Sequence, residues 1–430
     1  MKVALLNPPW TFEGSTYFGC REPHLPLELG YCRALLEQGG HEVLLLDGHL
    51  MGQSYSEIAE QVRAFGPAMT VVSTAPSYLF WRCAPPELRV PRQMLDALEG
   101  NAGQTVAVGP HGSATPGATL RKLGVDVVVL GECEEVVSAL AAGGRPGIVP
   151  GTATLEDGAL LQAGGPQAAG FTGLGPLRWP DEWVKRHHHH HHRFDRVPSG
   201  AGAEVEASRG CPYSCSFCAK IDFRDKYRRR DLAILLAEID GLIAQGVEYV
   251  YFIDEIFLPQ RALLEALVER RIEFGVQTRI DLWKPDMLAL LGAAGCVSIE
   301  AGVESLTEDG RAALDKRCKM TTDELADLLV LARQHVPFVQ ANLLETKGDD
   351  DGLVAAWRER LRAAGVWAND PVPLYPYPSS PDYRRLFGLP DDTAWERAHS
   401  HYLGQFSSFS DIQEDRPLPL RTLEAVCRTG

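Results

Sequence analysis

Short apolar runs alternate with longer helical stretches twice along this chain, and that alternation limits the folds open to it more than any other feature. In the first 145 residues the candidate strands are 3–6, 43–46, 69–73, 106–108 and 127–130, with helical stretches such as 27–38, 55–65 and 92–98 between them. Strands apolar enough to be buried on both faces and joined through helices form parallel sheets covered by helices, with ligands at the carboxyl ends of the strands. Residues 1–145 are therefore expected to form a doubly wound, Rossmann-like α/β domain.

From 146 to 202 the pattern gives way to Gly, Pro and Ala, which reads as a connector carrying one hairpin over 152–160, turned at Asp157-Gly158. Within it Lys185-Arg186 precedes six histidines, His187 to His192. A second alternation follows, with strands near 204–207, 249–253, 274–278, 296–301, 338–344 and 372–374 and helices near 232–244, 260–270, 287–293 and 322–333. Six such repeats over 203–380 predict a partial (β/α)6 TIM-type barrel, whose chemistry belongs at the carboxyl-end loops. Residues 381–430 read as a helical C-terminal extension.

A formal charge of -15 argues against nucleic acid as a partner, because a chain that tracks phosphates carries a basic face. The opening apolar run stops at Asn7-Pro8-Pro9, too early for a signal peptide, and no window is long enough to span a bilayer. A soluble cytoplasmic protein without a membrane partner is expected, with its ten cysteines reduced or ligating rather than paired.

Three of those cysteines stand together. The segment Ala207-Ser208-Arg209-Gly210-Cys211-Pro212-Tyr213-Ser214-Cys215-Ser216-Phe217-Cys218 places three thiols within eight residues, directly after the first strand of the second alternation. Three thiolates on one loop can hold three corners of an iron–sulfur cube and leave the fourth iron open. A structural zinc site would want a fourth protein ligand at matching spacing, and none follows. Zinc or buried thiols remain the alternative reading.

Cys-x3-Cys-x2-Cys with an aromatic residue before the last Cys, here Phe217, resembles the signature of the radical S-adenosylmethionine (SAM) superfamily. The resemblance implies a [4Fe-4S] cluster on Cys211, Cys215 and Cys218, with SAM bound through its amino and carboxylate groups to the open iron and cleaved to a 5'-deoxyadenosyl radical. It further implies SAM contacts at strand ends: Asp254 and Glu255 after the second strand, Arg279 after the third, and Glu304 and Ser305 after the fourth. Taken alone, acids at strand ends serve equally as helix N-caps.

The upstream half is similar to the cobalamin-binding domains fused to such barrels. Val108-Gly109-Pro110-His111 and Gly131-Glu132-Cys133-Glu134 look like that family's Gly-Gly-Pro-His and Gly-Glu-x-Glu stretches, and Asn7-Pro8-Pro9 follows the first strand. The resemblance implies cobalamin contacts at Pro9, Ser73, Gly109, Pro110, His111, Gly131 and Glu132. Small residues such as Gly109 and Gly131 let a flat ring approach the backbone. Asp47-Gly48-His49-Leu50-Met51-Gly52 matches Asp-x-His-x-x-Gly, by which some cobalamin proteins offer His to cobalt, but it follows the second strand instead of the first. His49 is therefore expected to be a loop histidine, with axial ligation the lesser reading.

Trp10, Tyr17, Phe18 and the aromatics of Ser77-Tyr78-Leu79-Phe80-Trp81 either cover a corrin or belong to the core, and core is the expectation. The histidine run reads as an exposed polar loop, with metal binding the alternative. Cys296 reads as packing, whereas Cys318 and Cys427 are candidates for reactive thiols.

The functions that follow from the resemblance are three. The first is a cobalamin-dependent radical SAM methyltransferase acting on a small molecule, fed electrons by a reductant such as flavodoxin or ferredoxin. The second keeps the cofactors but performs a rearrangement or cyclisation. The third is an iron–sulfur electron carrier without turnover.

Overall fold

The computed structural model describes residues 1–19, 21–76, 83–187, 201–346, 348–406 and 415–425. Residues 77–81, 188–192 and Cys427 lie outside them. The chain folds into two parallel sheets, each wrapped by helices.

The first sheet contains β1 (Lys2–Asn7), β2 (Glu42–Asp47), β3 (Met69–Ser73), β4 (Gln104–Val108) and β5 (Val127–Val129), all parallel. The hairpin of β6 (Thr152–Glu156) and β7 (Ala159–Ala163) adds antiparallel to β5. Spatial order is β2-β1-β3-β4-β5-β6-β7, so the strand order reverses beside β1, the place at which open α/β sheets take their ligands. β3 is buried along its whole length, as a strand with helices on both faces must be. Helix formation follows local signals: Tyr55–Phe65 begins in a capping box of Ser54 with Glu57 and stops at Gly66, whose φ is +64°. The hairpin forms where Asp157 and Gly158 both take positive φ, as a tight turn between β6 and β7 requires.

The second sheet has the order β15-β14-β13-β12-β11-β8, all parallel: β8 (Ala201–Val205), β11 (Val247–Phe252), β12 (Glu273–Thr278), β13 (Cys296–Glu304), β14 (Phe338–Leu343) and β15 (Trp367–Ala368). This is the expected six-stranded partial barrel, with one correction. The sixth strand is Trp367–Ala368 instead of 372–374; Val372 makes only an isolated bridge to Leu344. The prolines on either side of Val372 explain the difference, because a residue without an N–H cannot sustain a ladder. Between β8 and β11 a short antiparallel ribbon, β9 (Ser208–Arg209) with β10 (Arg228–Arg229), brackets the three cysteines.

The segment between the sheets is held closely. Its Trp179 ring crosses helix Leu27–Gln38 at Gly30, where a Cβ would stand 2.5 Å from the indole. The C-terminal helices Pro381–Phe387, Ala394–Gly404 and Leu420–Ala425 reach back over the first domain: Trp395 donates to Thr115 Oγ1 at 3.1 Å and Leu418 N–H to the Gly14 carbonyl at 2.8 Å. One continuous apolar core runs from β1 through the second sheet into the C-terminal helices.

Candidate active site

The cysteine loop sits at the carboxyl end of β8. Gly210 opens it at φ +76°, and a Cβ there would lie 2.2 Å from the Lys226 carbonyl, so only glycine fits. The Gly210 N–H donates to Glu255 at 2.7 Å. Lys220 Nζ donates to the Cys211 carbonyl at 2.7 Å and pairs with Asp225 at 2.6 Å, bracing the loop from its far end. From the C-terminal extension, Asp382 clasps Ser216 through both its backbone and its carboxylate, at 2.9 and 3.1 Å.

Cys211, Cys215 and Cys218 are all partly exposed and share one electrostatic neighbourhood. Burial raises each thiol, and for Cys218 the charges of Cys211 and Cys215 add to it, pushing it up to about 12. Burial, with their mutual repulsion, keeps these sulfurs from becoming bare thiolates. A cluster whose irons neutralise them fits the donor set, since thiolates are its ligands and a partly open loop gives it access. Lys316 and Arg279 supply positive charge on the Cys215 side, opposed by Glu304.

The strand-end residues divide into those that face the cysteines and those that brace the chain. Arg279 stacks on Tyr213 of the cysteine loop at 4.1 Å, chelates Asp281 at 2.7 and 3.1 Å and donates to the Lys316 carbonyl. Glu304 takes a positive φ of +62° and pairs with Lys316. Glu255 holds Gly210. Asp254 is buried and accepts from Ala207 N–H at 2.8 Å and the Ser208 hydroxyl at 2.5 Å, which anchors the run into the loop; burial raises its carboxyl to about 8. Ser305, also buried, donates to Asp349 at 2.8 Å. Lys316 was not marked by the sequence, because a lone lysine in a charged loop carries no signal.

In the first domain, Asn7 is a hub at the carboxyl end of β1: it donates to Asp47 at 2.9 Å and accepts from Trp10 at 2.8 Å and from Ser73 at 3.1 Å. Burial raises Asp47 to about 7, and its other oxygen caps the short helix Gly48–Met51 through Leu50 N–H. Pro9 packs on Gly48, where a Cβ would stand 2.9 Å from the proline ring. His49 is lowered to about 4, by burial first and then by the charge of His24, and it bonds to the Arg21 backbone beside the Phe12 ring. Gly109 has φ +130° ahead of Pro110, the first residue of helix Pro110–Ala114. His111 is fully buried, bonded to the Pro85 carbonyl at 2.9 Å and stacked on Trp395. Gly131 passes so near Gln167 that a Cβ would lie 2.3 Å from its carbonyl.

Glu132 points into the seam between the domains. Its carboxylate is held by Arg209 at 3.1 Å and by Arg228. Arg209, two residues before Cys211 and fully buried, also pairs with Glu134 at 2.5 Å and Glu206 at 2.8 Å, its guanidinium near the rings of Phe171 and Tyr31. Arg224 joins Glu206 at 2.5 Å and reaches Glu255 and Glu28. Burial opposes ionisation of Glu206, but Arg209 and Arg224 outweigh it and lower the carboxyl to about 2. This seam was invisible in sequence, where Arg209 reads only as part of the approach to Cys211.

Other expectations resolve simply. Tyr17 stacks on Phe12 at 4.3 Å in the core, and Phe18, partly buried, packs against it on Tyr375 and Tyr402. Cys296 is buried packing. Burial raises the Cys318 thiol, which weighs against reactivity. His187 is buried, which corrects the expectation of an exposed loop at that position.

Three cysteines stand at the carboxyl mouth of a six-stranded partial barrel tied by buried ion pairs to a doubly wound domain, a donor set that fits an iron–sulfur cluster. Residues 205–352, the barrel with its cysteine loop, match the Radical SAM superfamily. Among curated relatives, the uncharacterized methyltransferase PH0819 of Pyrococcus horikoshii is 24% identical over 321 residues, 71% of this chain and 66% of that protein. An anaerobic magnesium-protoporphyrin IX monomethyl ester cyclase of Cereibacter sphaeroides is 24% identical over 410 residues, 90% of this chain and 64% of that one. The chain thus spans just under two thirds of the length of each. Among solved structures, the radical SAM methyltransferase TsrM of Kitasatospora setae, with cobalamin and a [4Fe-4S] cluster bound, superposes with a TM-score of 0.70 at 19% identity, covering 88% of this chain and 76% of that one. The cobalamin-dependent radical enzyme OxsB, with aqua-cobalamin and SAM bound, gives 0.66 at 17% identity over 99% and 61%. These likenesses show the fold.

Proposed function

We propose that this chain is a cobalamin-dependent radical SAM enzyme that transfers a methyl group to an unreactive position of a small molecule. The observation that carries the reading is the seam: Arg209 couples the loop of Cys211, Cys215 and Cys218 to the Glu132 and Glu134 loop of the first domain through buried side chains. A fold that fixes the two ligand-bearing ends against each other suits a reaction divided between two cofactors, which gains its rate from positioning.

When bound, the cluster, SAM and cobalamin supply reductive carbon–sulfur cleavage and a methyl carrier. The chain supplies the rest. Cys211, Cys215 and Cys218 hold the cluster, and Gly210, Glu255 and Lys220 shape the loop that presents them. Glu304 and Lys316, paired beside Cys215, are of the right charges for the ammonium and carboxylate of a methionine end, and Arg279 over Tyr213 walls the same side. Asp254 and Ser305 act at one remove, by bracing the strand ends. Pro9, Ser73, Gly109, Pro110 and Gly131 line the carboxyl ends of the first sheet, where a corrin would lie. A flavodoxin or ferredoxin would deliver electrons, and the reading places the enzyme in the cytoplasm. Among the described residues no helix is long and apolar enough to cross a membrane.

Cyclisation is the second reading, favoured by the cyclase relative that aligns with 90% of this chain. Anaerobic reconstitution with iron, sulfide, cobalamin and SAM, followed by product analysis under a strong reductant, separates the readings. Methyl transfer yields both S-adenosylhomocysteine and 5'-deoxyadenosine, cyclisation yields the second alone, and an electron carrier yields neither. Neither product from a chain with a full cluster would overturn the proposal. Cys211→Ala, Cys215→Ala and Cys218→Ala should each abolish both products.

A further inference from the structure

Away from the cysteines, the seam holds a second group of ligand-type side chains. His24 from the loop before helix Leu27–Gln38, His187 at the end of helix Asp181–Arg186 and Glu204 of β8 bring their ligand atoms within 4.8 Å of one another. All three are buried, at 5%, 5% and 1% exposure. His24 Nδ1 lies 3.1 Å from Glu204 Oε1, and the two imidazole rings meet edge to face at 5.2 Å.

Neither Glu204 oxygen makes a hydrogen bond among the described residues. A carboxylate so enclosed needs positive charge beside it, either a proton on an imidazole or a cation. Two imidazoles and one carboxylate form the nitrogen and oxygen set of three-ligand zinc sites, which take water as a fourth ligand. Leu25 N–H donates to His187 Nδ1 at 3.1 Å, so in the neutral ring that nitrogen carries the lone pair and Nε2 the proton. An ion taking the Nδ1 lone pair replaces this one hydrogen bond and leaves the proton on Nε2.

We propose that His24, His187 and Glu204 bind one divalent transition-metal ion, zinc by its donor set, which staples the first domain and the connector to the first barrel strand. The site is independent of the radical chemistry. It joins residues 24, 187 and 204, so the ion cross-links three chain segments far apart in sequence, and binding adds to folding.

The test uses full-length untagged protein, purified without a metal-affinity step and incubated with zinc, then desalted; zinc and iron are counted by mass spectrometry. About one zinc per chain is expected, retained when residues 188–192 are replaced by serine and when Cys211, Cys215 and Cys218 are replaced by alanine. Glu204→Gln and His24→Gln should each lower zinc about tenfold while leaving iron in the cluster unchanged. Zinc-edge absorption of the wild type should show nitrogen and oxygen ligands at about 2.0–2.1 Å, a readout that stands even where a variant fails to fold. The proposal is overturned by a wild type that holds no zinc, by zinc lost with residues 188–192 or with the cysteines, or by sulfur in the zinc shell. Any of these leaves the radical SAM reading untouched, because iron is measured in the same samples.

Discussion

Arg209 and Glu134, 75 positions apart in the chain, meet at 2.5 Å with both side chains sealed from solvent. One belongs to the approach to the first cysteine and the other to the loop after β5, so this contact carries the registration of the two domains. Removing one partner of a buried ion pair leaves the other charge uncompensated, at a cost of about 3–5 kcal/mol. Arg209→Ala is expected to destabilise the chain by that order, read as a fall in the denaturant midpoint. Arg209→Lys keeps the charge but loses the forked geometry and should fall between. Equal stability of all three proteins would remove the seam from any role in holding the fold.

Gly210→Ala should empty the iron–sulfur site, because the new methyl has no room beside the Lys226 carbonyl and the φ of +76° is strained for alanine. Iron and sulfide content are expected to fall by more than half. Gly246→Ala, also at positive φ but with open space around it, is the control, and its iron should match the wild type. Matching iron in both variants would show that the loop tolerates the displacement.

Asp254 sets a pH dependence with a definite sign. Its folded carboxyl is raised from 3.8 to about 8, so the folded state binds the proton more tightly than the unfolded one. The resulting stability is fully present below about pH 4 and is lost as pH rises toward 8. Asp254→Asn should flatten that decline, by a few kcal/mol at most between about pH 5 and 8.5. Denaturant midpoints for both proteins across that range decide the matter; parallel curves would assign the pH dependence to other groups.

His49 should not ligate cobalt. Its ring is engaged by the Arg21 backbone and packed beside Phe12, and its motif follows β2 instead of β1. Reconstituted cob(II)alamin enzyme is expected to give an electron paramagnetic resonance spectrum without nitrogen superhyperfine splitting, identical in the His49→Ala variant. Splitting that disappears in the variant would establish ligation.

What could be read from sequence was what repeats locally. Helices Leu27–Gln38 and Tyr55–Phe65 match expectation at both ends, the second because Ser54 and Glu57 mark its start and Gly66 its stop. The cysteine loop was legible because all its ligands lie within eight residues. The sixth strand was not, since two residues carry no period and the nearby apolar run is broken by prolines. Pairings across long separations were hidden for a different reason: Arg209 with Glu134, or His24 with Glu204, are joined only by the docking of two sheets, and no spacing rule encodes that. For the same reason Glu132, read as a corrin contact, is engaged by Arg209 and Arg228.

The clasp of Asp382 on Ser216 has a consequence for biogenesis. The cysteines leave the ribosome more than 160 residues ahead of their clasp, so the loop is synthesised long before the helix that braces it. Its final geometry therefore waits on helix Pro381–Phe387, which couples maturation of the cysteine site to folding of the far end of the chain.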